Sequence, residues 1–249
     1  MRYAIVSDIH GNLPALQAVV DDFARRGVDA VINLGDSLSG PLLPLETAQY
    51  LMAQPGWTHL AGNHERQILS PGTPVHTPVD ALARAALGKA ELDWIAAQQP
   101  AAWYQPGLYL CHGTPTRDTH YLLETVEPSH VRLATAAEIR QRLGDIDADL
   151  VLCGHTHRPR MVRLPDGPLI VNPGSVGLPA FDDRQFHPHV IETGAPDARY
   201  ALVEYRAGRW QAELIAVPYD HLPMVKRAEA AGMPDWALAL ATGRAVMPS

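Results

Sequence analysis

The chain has 249 residues, of which 47% are hydrophobic and 19% charged, a balance that fits a folded globular protein with a sizeable core and excludes a disordered chain. Its net charge of -7 argues against a nucleic-acid surface, which needs a basic stripe to neutralise phosphates. A small phosphorylated substrate stays compatible with that charge if bound divalent cations supply positive charge locally.

No apolar run approaches the ~20 residues of a membrane span. The chain opens on a strand without a basic leader, so a cytoplasmic protein is expected, with no membrane partner. The two cysteines, Cys111 and Cys153, lie inside expected strands and read as reduced core thiols.

In chain order, Tyr3–Val6 is a short apolar strand that runs into Ser7-Asp8-Ile9-His10-Gly11-Asn12. Apolar residues at 13, 16, 19, 20 and 23 predict a helix closed by Gly27, and 30–34 is a second strand, giving a parallel crossover unit. A loop over 40–44, a short helix over 45–53 and a strand over 57–61 follow. Residues 70–78 are a loop, and 78–98 predicts two short helices around Gly88. Strands are expected at 102–104 and 107–111, an irregular stretch at 114–130, a helix over 131–143 and a strand over 149–153. From there the pattern becomes strand after strand. Pro165-Asp166-Gly167 joins a hairpin of 160–164 and 168–171, and Ala207-Gly208-Arg209 joins one of 200–205 and 210–217. Residues 221–243 return to helix, broken at 232–234. One domain is expected over 1–249, with a catalytic core to about 217 and a helical extension over 218–249.

Five of the apolar runs end in a glycine and a metal-ligand residue type. Taken together they offer Asp8, His10, Asp36, Asn63, His112, His155 and His157. Imidazole with oxygen donors suits Mn, Fe, Zn, Ni or Co better than Ca or Mg. Seven ligands exceed what one open catalytic ion takes and suit two ions sharing a carboxylate. Such a pair, about 3.5–4 Å apart, generates a hydroxide near neutral pH and clamps an in-line phosphoryl displacement.

The ordered series Asp8-x-His10, Gly35-Asp36, Gly62-Asn63-His64-Glu65, His112-Gly113 and Gly154-His155-Thr156-His157 resembles the calcineurin-like metallophosphoesterase superfamily over roughly residues 4–175. Asn172-Pro173-Gly174-Ser175-Val176-Gly177 and the Val217-Pro218-Tyr219-Asp220 end are similar to its small prokaryotic phosphodiesterase branch. The resemblance implies an α/β fold, a four-layer αββα sandwich of two mixed sheets flanked by helices. It implies that Asp8, His10, Asp36 and His157 hold one metal, that Asp36, Asn63, His112 and His155 hold the other, and that His64 is the catalytic residue facing substrate. Two divalent transition-metal ions, Mn foremost, are the expected cofactors.

The implied activity is phosphodiester hydrolysis of a small or nucleotide-like substrate through a metal-bridging hydroxide. A phosphomonoesterase and a dinucleoside polyphosphate hydrolase are the alternatives, and a non-catalytic binding scaffold is the reading from another class. The protein Ser/Thr phosphatase version of the pattern carries a second Asp and an Arg where this chain has Ser39 and Gly40. A phosphoprotein substrate is therefore disfavoured, and the residue that orients His64 is not identified from the sequence. Glu65 and Thr156 read as residues behind the ligands or in solvent, Arg160 as a solvated strand edge, and Arg117 and His120 as candidates for reaching substrate phosphate.

Overall fold

A computed structural model describes residues 1–75, 77–128, 130–184 and 187–247. Among them the chain runs β1 (Arg2–Val6), α1 (Leu13–Arg26), β2 (Ala30–Asn33), α2 (Pro44–Met52), β3 (Trp57–His59), α3 (Asn63–Ile68), α4 (Pro78–Ala86) and α5 (Lys89–Ala96). Then follow β4 (Ala101–Gln105), β5 (Leu108–Cys111), β6 (Glu124–Glu127), β7 (His130–Leu133), α6 (Ala136–Leu143), β8 (Leu150–Leu152), β9 (Arg160–Arg163) and β10 (Leu169–Asn172). The chain closes with β11 (Ala180–Asp183), β12 (His189–Glu192), β13 (Ala198–Arg206), β14 (Arg209–Val217), α7 (Leu222–Ala230) and α8 (Pro234–Thr242). No described helix is long and apolar enough to cross a membrane.

Two five-stranded mixed sheets, ordered β14-β13-β1-β2-β3 and β4-β5-β8-β10-β9, carry the molecule. The side-chain alternation of the strands sorts the core into layers. Tyr3, Ile5, Ile32 and Leu34 of the first sheet meet Leu108, Leu110, Leu150 and Leu152 of the second in one buried cluster between the sheets. Ala4 and Val6 turn the other way, onto Leu16, Val19 and Phe23 of α1. Cys111, Val151 and Ile170 turn from the second sheet onto Ile139 and Leu143 of α6. Helix, sheet, sheet, helix is the αββα sandwich the sequence resemblance implies. Cys111, the last residue of β5, and Cys153, one residue past the end of the neighbouring β8, are free, buried thiols.

Parallel pairing decides where the functional loops go. β1, β2 and β3 are mutually parallel, as are β5, β8 and β10, so their carboxyl ends emerge on the same edge of each sheet. The ladders continue past the strands: Asp8 N donates to Gly35 O at 2.9 Å, His10 N to Asp36 O at 3.0 Å and Gly154 N to His112 O at 2.7 Å. The Asn172–Leu178 turn then locks two of these loops. The Asn172 amide donates to the carbonyl of Gly154 and the hydroxyl of Thr156, and the Ser175 hydroxyl donates to Asp8 O at 2.7 Å.

Three sequence expectations change. The helix expected over 131–143 begins only at Ala136, because Thr135 and Glu138 form a capping box that starts it there. Residues 130–133 are instead β7, paired with β6, which lies inside the stretch expected to be irregular, and Arg132 bridges Glu127 of β6 and Glu138 of α6. The β11–β12 hairpin was not expected at all. The C-terminal helices match their expected break: α7 and α8 pack Met224, Ala228, Ala237 and Leu240 onto Leu42, and Arg227 donates to the Leu42 carbonyl.

Candidate metal centre and active-site cleft

Six of the seven candidate ligands, Asp8, His10, Asp36, His112, His155 and His157, come together at the strand ends, Asn63 opens α3 next to them in sequence after Gly62, and five of the backbones are unusual. Asp8, His10, Asp36, His155 and His157 have φ between 52° and 67°, the left-handed region that L-residues with a Cβ seldom occupy. Among the described residues the other non-glycine positions of this kind, Asp166 and Ala207, sit in hairpin turns. Strain of this sort persists only where surrounding structure enforces it, and here it turns side chains of adjacent loops toward one another. Gly62 shows how closely: a Cβ there would lie 2.2 Å from Asp36 Oδ1.

Glu65 does much of the enforcing. It is buried, and its carboxylate accepts from the backbone of Asp36 and Ser37 at 2.8 Å and of Gly62 at 2.7 Å, clamping the β2 loop to the start of α3. Thr156 is also buried. Neither faces solvent. Arg160 is not a free strand edge either: its Nε donates to the buried Glu124 at 2.8 Å.

The ligating atoms form two groups, Asp8 with His10 and His157, and Asp36 with His112 and His155; within each the atoms lie within 4.8 Å of one another. Their hydrogen bonding fits divalent metals. The Leu178 carbonyl can only accept, so His157 Nδ1 at 2.6 Å donates to it and leaves a lone pair on Nε2. His10 Nδ1 lies 3.2 Å from the Ser39 carbonyl and 2.8 Å from its hydroxyl, and its Nε2 stands 3.1 Å from His157 Nε2. His112 repeats the arrangement: Nδ1 is 2.8 Å from Leu34 O, and Nε2 is 2.9 Å from Asp36 Oδ2. The two imidazole acceptors of His10 and His157 repel each other at that distance, and a cation between them removes the conflict; at His112 a cation would take the place of the proton shared with Asp36.

Three further candidate ligating atoms are buried and without a hydrogen-bond partner: Asp8 Oδ1, Asn63 Oδ1 and His155 Nε2. Asn63 gives its amide N–H to Gln67 Oε1 at 3.1 Å, which leaves the oxygen for the site.

Electrostatics follows from this packing. Burial opposes the charged forms throughout. It lowers His10 to about 3, reinforced by His157, and His155 to about 4, reinforced by His112. For His112 the carboxylates of Asp36 and Asp8 outweigh burial and raise it to about 10, while the surrounding imidazoles hold Asp36 well below the usual carboxylate range. A proton therefore competes for the place a metal would take at His112.

His64 opens onto the cleft, and its orienting partner is Asp80, which the sequence reading did not find. Asp80 Oδ1 lies 2.7 Å from His64 Nδ1, while its other oxygen accepts from Thr77 N at 3.0 Å in the capping box of α4. Burial lowers His64, but Asp36 and Asp80 outweigh it and raise the imidazole to about 9. The signal in the sequence was Thr77-x-x-Asp80 at a helix start, which reads as a cap; only the fold brings that cap against His64. His120 does not line this cleft; it lines a smaller cavity of about 260 Å³ with Tyr121, Glu124 and His189. His76 lies outside the described residues.

The cleft itself measures about 780 Å³, the size of sites that take small organic ligands, and runs from His10, His64, His155 and His157 to Phe181 and Trp236. At Gly40, where the phosphatase pattern has an arginine, φ is +131° and a Cβ would lie 2.5 Å from the Trp236 indole. Tryptophan from α8 occupies the space that side chain would need.

The family model of the calcineurin-like phosphoesterase superfamily domain matches residues 1–194, and the chain belongs to that superfamily. It is thus a metal-dependent phosphoester hydrolase. Over the full length it resembles an uncharacterized protein of Methanocaldococcus jannaschii, 22% identical with 94% of each chain covered. In structure it resembles a metallophosphoesterase from Sphaerobacter thermophilus, with a TM-score of 0.76 and 24% identity over 98% of this chain and 100% of that one. A hypothetical protein from Pyrococcus horikoshii OT3 gives a TM-score of 0.72 at 16% identity, covering 98% of this chain and 99% of that one. At these identities the structural likenesses speak for the fold.

Proposed function

We propose that the chain is a phosphodiesterase with two metal ions, acting on a small phosphodiester. In this reading Asp8, His10, Asp36 and His157 hold one ion, Asp36, Asn63, His112 and His155 hold the other, and Asp36 is shared. The observation that carries it is His10 Nε2 facing His157 Nε2 at 3.1 Å, with Asp8 Oδ1 and His155 Nε2 buried in the two ligand groups without a hydrogen-bond partner. When bound, the ions supply Lewis-acid polarisation of the phosphoryl oxygens and an activated water.

The protein's own groups do the rest. The Leu178 and Leu34 carbonyls fix the ring orientation of His157 and His112 through their Nδ1 atoms. His64, held at Nδ1 by Asp80, keeps Nε2 for the cleft and donates a proton to the departing alkoxide there. A diester is favoured over a monoester by Gly40: a dianionic monoester gains from an extra guanidinium, and Trp236 fills that position instead. Manganese as the native metal and a cytoplasmic setting belong to the same proposal.

The test is hydrolysis of bis-p-nitrophenyl phosphate and p-nitrophenyl phosphate by metal-stripped protein, with and without Mn²⁺. Turnover that needs Mn²⁺ and favours the diester is expected. Undiminished turnover by stripped protein would overturn the metal assignment, and a faster monoester would overturn the diester preference.

A further inference from the structure

The family match ends at residue 194, yet the cleft does not. Its far wall comes from β11 and from the C-terminal helices, with Phe181 on the first and Trp236 on α8. Both rings are half-buried and pack on a common floor of Leu178, Ala180 and Ala239. Each also touches a candidate metal ligand: the Phe181 ring centroid is 4.6 Å from that of His157, and the Trp236 centroid is 5.8 Å from that of His10. The aromatic surface is therefore continuous with the place where the phosphate would sit.

We propose that this wall is the specificity surface of the enzyme, and that it stacks a planar aromatic alcohol arm, a nucleobase or aryl group, of the phosphoester. The inference rests on the phosphoesterase reading of the metal centre and names the substrate class for it. Three observations carry it. The Trp236 ring closes so tightly on the loop after β2 that a Cβ on Gly40 would meet it at 2.5 Å, which fixes a flat apolar face beside His10. Charged groups beside it are two carboxylates, Asp182 and Asp235, and one guanidinium, Arg184, a balance that disfavours a second phosphate on that side. The cleft volume of about 780 Å³ is ample for a nucleoside beside a phosphate. Aromatic rings discriminate by area and shape, and stacking of a base on one side chain is worth about tenfold to a hundredfold in affinity.

The test is calorimetric titration of the Mn²⁺-loaded protein with methyl phosphate, phenyl phosphate and thymidine 5′-monophosphate, which requires no turnover. The aromatic ligands are expected to bind at least about tenfold more tightly than methyl phosphate. In Trp236→Ala that ratio is expected to fall to within about threefold, whereas Trp236→Phe keeps most of it. Manganese content of each variant, measured by elemental analysis, shows whether the metal centre is intact. If Trp236→Ala fails to fold, Phe181→Ala serves, with the ratio expected to fall at least about threefold. Equal affinity of wild-type protein for all three ligands, no binding of any, or a ratio that survives both substitutions would overturn the proposal. Hydrolysis of bis-p-nitrophenyl phosphate run alongside separates the two readings, because a protein that binds aromatic phosphates without cleaving the diester sinks the phosphodiesterase and keeps the wall. Thymidine monophosphate binding more tightly than phenyl phosphate assigns the arm to a nucleoside, and equal binding assigns it to aryl groups in general.

Discussion

Replacing Asp80 by Asn tests the proposed role of His64 with little change in volume. Both carboxylate oxygens are engaged, one at His64 Nδ1 and the other at Thr77 N. An asparagine must keep its oxygen on the Thr77 N–H, because two N–H groups facing each other at 3.0 Å repel. Its amide nitrogen then faces His64 Nδ1, which has to accept instead of donate. The charge-assisted bond that favours the imidazolium is lost. Hydrogen bonds to charged groups are worth about 1.5–3 kcal/mol, which corresponds to a fall in kcat of about tenfold to a hundredfold. The same energy moves the imidazole pKa down by about one to two units, so the alkaline limb of the pH–rate profile shifts toward acid by that amount. The assay is kcat against pH for Mn²⁺-loaded wild type and variant, on diesters whose leaving alcohols span a wide range of acidity. Loss should be greatest for the most basic leaving group, which needs the proton most. Unaltered kcat across the pH range, or an equal loss on every leaving group, would refute His64 as the proton donor.

Two further predictions concern the scaffold. Glu65→Gln puts an amide N–H₂ where three backbone N–H groups converge on a buried carboxylate, and should destabilise the fold by about 2–3 kcal/mol in urea unfolding. His59, half-buried against Trp57 and Trp94, is lowered from 6.5 to about 4 by desolvation. The unfolded chain binds the proton first, so the stability that neutral His59 contributes is whole above pH 6.5 and is lost as pH falls toward 4. Because the ring is half-exposed and solvent screens it, about 1 kcal/mol is expected. Unfolding free energy of wild type and His59→Phe across that window checks the sign, the variant giving the flatter profile.

The candidate ligand set was legible because it repeats. Each of five apolar strands ends in a glycine and a metal-ligand residue, a pattern local in sequence and so visible without the fold. Helix α1, the two long hairpin strands β13 and β14, and the break between α7 and α8 were equally local, set by apolar spacing and by Gly and Pro. Even the misplaced start of α6 was written in the chain, as the Thr135–Glu138 capping box within an apolar run that also suits a helix. Other features have no local signature. Asp80 looks like a helix cap and nothing more until the packing of α4 brings it 2.7 Å from an imidazole 16 positions earlier. Gly40 reads as a missing arginine; only the return of α8 across the cleft shows that an indole fills its place. Strand ends and turns are determined by neighbours a few residues away, whereas the wall of the cleft depends on which distant segments pack together. That is why the chemistry proposed for the candidate metal centre is contained in the sequence motifs, and the shape of the cleft beside it is contained in the tertiary structure.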